Sequence, residues 1–100
     1  MTVKTKPFDI AEHLKTPEEI RAFLQEVLDT GDDSDFIHAL STAARAIGMT
    51  EVAQKAGVTR ASLYKSLAEG GNPRFSTISK VTKALGCKLA VAEEMAFSGD

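Results

Sequence analysis

Apolar positions recur at helical spacing along most of the chain, and each periodic run follows a helix-start signal. The first signal is "DIAE", with Asp9 as an N-cap and Glu12 three residues on. "TPEE" at 16–19 is stronger. Thr16 caps, Pro17 takes the first helical position, Glu18 lies in the positive-dipole turn and Glu19 closes a capping box. Ile20, Phe23, Leu24, Val27 and Leu28 then share one face, and "TGDDS" ends the run. A third helix is predicted from Ser34, with Phe36, Ile37, Leu40, Ala43, Ala44 and Ile47 as its apolar stripe and Gly48 as its stop. Thr50 is predicted to cap a short helix reaching Ala56, and Thr59 another reaching Ala68, with Gly57 breaking between them. "EGGNPRF" reads as a loop, and Ser76 as the start of a last helix that turns Ile78, Val81 and Leu85 inward and ends at Gly86. In "KLAVAEE", Leu89 and Val91 alternate with alanines, a short strand pattern with no second strand in the chain to pair with.

The pattern predicts an all-α fold in three parts. Residues 1–33 form an N-terminal extension of two helices, 34–88 a compact four-helix bundle, and 89–100 an extended segment with a short strand. A composition of 43% hydrophobic and 26% charged residues is that of an ordinary globular domain, so neither disorder nor a fibrous class is indicated. No apolar run approaches the ~18 residues of a membrane span. "MTVKTKPFDI" has lysines but no apolar core of a secretory signal, and cytoplasm is the expected address. The single Cys87 allows no intramolecular disulfide and is expected to be a buried thiol.

Charge changes the picture. The formal net charge of −2 hides a partition. Residues 41–88 carry eight basic and two acidic residues, a net of +6; residues 1–40 carry four basic and nine acidic, a net of −5; residues 89–100 add −3. Such asymmetry points to two different partners, or to halves that neutralise each other within one fold.

The basic part contains "TEVAQKAGVTRASLYKSL", two short helices around a glycine turn, the signature of a helix-turn-helix. Val52, Ala53 and Ala56 are small enough for close packing, Val58 plugs the turn, and Leu63 and Leu67 face inward. At ~100° per residue, Ala61, Ser62 and Lys65 fall opposite the leucines, while Thr59 and Arg60 project from the tip. None of these is acidic, and a helix N-terminus suits phosphate. Candidate base readers are therefore Thr59, Arg60, Ala61, Ser62 and Lys65: Arg60 can fork onto a guanine edge and the Ala61 methyl can meet a thymine methyl. Candidate phosphate contacts are Thr50, Gln54, Lys55, Tyr64, Asn72 and Arg74, which would position the protein without reading sequence. The alternative for each is a cap or a solvated surface group.

Catalysis finds no support. His13 and His38 stand in separate helices without a metal-ligand spacing, no glycine elbow presents a nucleophile, and there is no phosphate loop. No cofactor and no metal are expected. His38, between Ile37 and Ala39, reads as a partly buried structural histidine.

"MTEVAQKAGVTRASLYKSLAEGGNPRFSTISKVTKALGCKLAV" resembles the helix-turn-helix of the XRE family of Cro-like repressors, which implies a lambda-repressor-like bundle. Together with the leader "KPFDIAEHLKTPEEIRAFLQEVLDTGD", it resembles the HigA-type addiction module antidotes over residues 4–94. The basic start "VKTK" departs from many members of that family. The resemblance implies a type II antitoxin: a homodimer that neutralises a RelE/ParE-type toxin and represses its own operon by binding double-stranded operator DNA. Toxins of that class are generally basic. The acidic leader is thus the candidate toxin-binding part, with Phe8, Ile10 and Leu14 as apolar anchors and Asp9, Glu12, Glu18 and Glu19 setting the field; the alternative is that these residues cover the bundle's own core. Leu89 and Val91 are the candidate dimerisation residues, since two copies paired antiparallel would satisfy a lone strand's edges. Two further readings stand beside this one: a stand-alone XRE-family repressor without a toxin, and a protein-interaction module whose helix-turn-helix has lost DNA binding.

Overall fold

The computed structural model describes residues 13–93. Among them are five helices and no strand: α1 (Pro17–Thr30), α2 (Asp33–Ile47), α3 (Met49–Ala56), α4 (Arg60–Ser66) and α5 (Phe75–Ala84). The expected helix start at Asp9 lies outside the described residues.

α1 begins as its sequence dictates. The Glu19 amide donates to the Thr16 hydroxyl at 3.1 Å, and the Glu19 carboxylate accepts from the Thr16 and Lys15 amides at 3.0 and 2.8 Å. The Lys15 amide, assisted by the Thr16 amide and hydroxyl, holds the Glu19 carboxyl below its ordinary pKa. α2 starts one residue before the expected Ser34. Its N-cap is Asp32, whose side chain accepts from the Asp35 amide at 2.9 Å while the Asp35 carboxylate accepts from the Asp32 amide at 3.0 Å. This is a capping box built from two aspartates, and their shorter reach suffices because Gly31 leaves room. A Cβ at Gly31 would lie 2.7 Å from Asp35 Oδ2.

The start of α3 corrects an expectation. Thr50 does not cap it. Gly48, at φ 125°, separates α2 from α3 alone, so the helix is under way at Met49 and Thr50 is an exposed residue inside it. Likewise Ser76 lies inside α5, which begins at Phe75 without a side-chain cap. α3 ends as read from the sequence. Gly57 takes a left-handed conformation at φ 74°, its amide donates to the Gln54 carbonyl at 3.2 Å, and the Val58 amide reaches the Ala53 carbonyl at 3.0 Å. The same pair of bonds closes α5 at Gly86, from Gly86 to Lys83 and from Cys87 to Thr82.

The helices surround one core. α3 packs on α5 and α4, α2 on α3 and α5, and α1 on α2. Leu40, Val52, Leu63 and Val81 are fully buried at its centre. Thr82, the buried polar residue, is satisfied by donating to the Ile78 carbonyl at 2.7 Å. Leu14, Ile20 and Leu24 belong to the same cluster, so the core runs unbroken across the expected boundary at residue 33.

No strand forms among the described residues of the predicted segment. Residues 87–93 carry no ladder, and a strand needs a neighbour with which to exchange amide and carbonyl bonds. Leu89 packs on the core, whereas Val91 is fully exposed. His38 is also exposed rather than partly buried, one position outside the inward stripe of Ala39 and Leu40. Cys87 is half-buried, and burial pushes its thiol pKa up despite the nearby Arg21. No helix among the described residues is long and apolar enough to cross a membrane.

Candidate nucleic-acid interface

α4 is short and sided. Leu63 is fully buried and Leu67 nearly so, and these two pin the helix to the bundle. Thr59, Arg60, Ala61, Ser62, Tyr64 and Lys65 are all exposed. The helix is aimed by its two ends. The left-handed turn at Gly57 brings half-buried Val58 back towards the core, and the Thr59 side chain then accepts from the Ser62 amide at 3.0 Å. Thr59 is thus an N-cap, and its hydroxyl hydrogen remains able to donate outward.

Two cations of the set have partners of different kinds. Lys55 on α3 lies 3.1 Å from Glu51, one turn earlier and exposed, so part of its charge is neutralised locally. Arg60 instead lies over the ring of Tyr64, 5.4 Å from its centroid, and donates to the Tyr64 hydroxyl at 3.3 Å. Lys65, Arg74, Lys80 and Lys83 have no carboxylate within reach. The basic stretch therefore keeps most of its charge available to an external polyanion.

The remaining phosphate candidates, Thr50 and Gln54 on α3 and Asn72 and Arg74 in the loop before α5, are exposed. That loop is shaped by backbone crowding: a Cβ at Gly71 would lie 2.9 Å from the carbonyl oxygens of Ala68 and Ser66. Two features escaped sequence reading. The Arg60–Tyr64 pair was signalled only by its spacing of four, the spacing of neighbours on a helix face. Phe75, 71% exposed beside Arg74, opens α5 where "EGGNPRF" reads as loop.

The candidate toxin-binding residues divide. Phe8, Asp9, Ile10 and Glu12 lie outside the described residues. Leu14 is buried in the chain's own core and is not presented to a partner here. Glu18 and Glu19 are exposed, with Glu19 engaged in its capping box. Beside α1, Leu24, the half-exposed Leu28, Phe36, Cys87 and Leu89 line a shallow groove together with Arg21, Gln25, Thr82 and Lys88.

Comparison with known proteins finds relatives that span both the leader and the bundle. A protein of Haemophilus influenzae described as "Uncharacterized protein" is 43% identical over 93 residues, covering 93% of this chain and 96% of the relative. No solved structure gives a significant match. The family described as "Probable addiction module antidote protein" matches residues 4–93, across both the acidic leader and the basic helices. The chain therefore belongs to the family of probable addiction module antidote proteins.

Proposed function

We propose that the chain is the antitoxin of a type II toxin–antitoxin module. In this reading it neutralises a RelE/ParE-type toxin by direct binding. It also represses its own operon, as a homodimer, through sequence-specific binding of double-stranded DNA. Membership of the antidote family supports the antidote role; the toxin class rests on the HigA-type resemblance. The DNA-binding part rests on the outward face of α4, where Arg60, Ala61, Ser62 and Lys65 are exposed and no acid intervenes.

α3, the Gly57 turn and α4 serve as a helix-turn-helix of the XRE, HigA-like type, with α4 as the helix entering the major groove. Thr59, Arg60, Ala61, Ser62 and Lys65 meet base edges, while Thr50, Gln54, Lys55, Asn72 and Arg74 grip phosphates. One recognition helix reads one half-site. A two-fold dimer presents two, about 34–36 Å apart, to a palindromic operator. Val91, fully exposed in the single chain, is the side chain offered to a second copy. Toxin binding falls to the leader: residues 8–12 and the exposed carboxylates Glu18 and Glu19 would meet a basic partner, and Leu14 is left to the fold.

The test is neutralisation. The product of the gene adjacent to this one is expressed with and without the chain. Growth arrest by that product, relieved by co-expression, together with co-purification of the two proteins, is the expected result. An adjacent product that neither arrests growth nor co-purifies would overturn the antitoxin reading and leave a stand-alone repressor of the XRE family.

A further inference from the structure

Arg60 is the first residue of α4 and Tyr64 stands one turn further on, on the same exposed face. The guanidinium lies 5.4 Å from the ring centroid, and one Nη donates to the phenolic oxygen at 3.3 Å. No carboxylate lies within 4.0 Å of it among the described residues. A carboxylate partner would order the arginine but cancel its charge. An aromatic ring with a hydroxyl orders it and leaves the full positive charge in place. A guanidinium has five N–H donors in a fixed planar fork, so one bond to Tyr64 leaves four for an external acceptor.

We propose that Tyr64 is a positioning residue for Arg60. It holds the long, charged side chain over its ring, ready to fork onto a base edge, and acts through Arg60 rather than by a phosphate contact of its own. The proposal rests on the reading of α4 as a DNA-contacting helix. It assigns Tyr64 a part in sequence discrimination, where its hydroxyl alone would have suggested backbone binding. Tyr64 is 45% exposed and makes no part of the core, so replacing it leaves the bundle's packing intact.

The test titrates two probes: the double-stranded DNA immediately upstream of the gene, and scrambled DNA of the same length. Wild type, Arg60→Ala, Tyr64→Ala, Tyr64→Phe and the Arg60→Ala/Tyr64→Ala double variant are compared, with circular dichroism reporting helix content for each. Arg60→Ala is expected to lower the preference for upstream DNA. Tyr64→Ala should lower the same preference by about two- to fivefold per half-site, the range of an exposed cation–π contact, and leave scrambled DNA bound as before. Tyr64→Phe, which keeps the ring, should recover most of it. In the Arg60→Ala background, Tyr64→Ala should change nothing further. Equal weakening on both probes in both backgrounds would assign Tyr64 its own phosphate contact and overturn the proposal, as would full preference in Tyr64→Ala. Wild type that binds neither probe, or both alike, would remove the DNA reading itself, and the proposal with it.

Discussion

Glu19 shows how a single side chain ties stability to pH. Its carboxylate accepts amides from Lys15 and Thr16, which keeps its folded pKa below the unfolded value. A carboxyl so lowered contributes stability that is present above the unfolded pKa and lost as pH falls through the folded one. Glu19→Ala should therefore lower the urea midpoint at neutral pH, and the gap to wild type should narrow in acid. A gap independent of pH would mean that the carboxylate's hydrogen bonds are not its cause. At this scale much was legible in the sequence. Thr16 with Glu19, and Gly57 between two short helices, are local signals whose geometry needs no distant residue. Thr50 was misread because the cue for a cap is a hydroxyl, whereas Gly48 alone turned the chain. His38 was misread because apolar sequence neighbours on a helix point in different directions.

Among the elements, α1 departs most from the picture of an appended arm. Its apolar stripe was visible in sequence, but what the stripe packs against was not, since periodicity names a face and never its partner. Ile20 and Leu24 are buried in the common core, and the start of α1 at Pro17 lies beside Gly86 at the end of α5, where an added Cβ would stand 3.7 Å from Pro17 Cβ. Leu24→Ala should consequently cost about 2–5 kcal/mol of unfolding free energy, as for a buried leucine. An arm independent of the bundle would give a loss within about 0.5 kcal/mol, as for a surface position. The C-terminal segment is the opposite case. Its alternation was legible, yet a strand is a property of a pair, and the described residues of one chain hold no second strand.

For the whole molecule, the net charge of −2 hides a partition: −5 over residues 1–40 and +6 over residues 41–88. Among the described residues, Lys65, Arg74, Lys80 and Lys83 have no carboxylate within 4.0 Å. The proposed dimer makes a separate prediction. Because Val91 is fully exposed and outside the core, Val91→Glu should convert the dimer to monomer by light scattering without lowering the stability of the fold. A Val91→Glu protein that remains dimeric would place the interface elsewhere.

The most direct test of the account is a titration of the DNA upstream of the gene with the full chain at several salt concentrations. If the exposed cations of α4 and its flanking loop grip phosphates, the logarithm of the binding constant falls linearly with the logarithm of salt, by about 0.9 for each phosphate neutralised. A steep negative slope spanning several phosphates, with upstream DNA preferred over scrambled DNA, is the predicted result. Weak binding that is flat across salt and indifferent to sequence would contradict it.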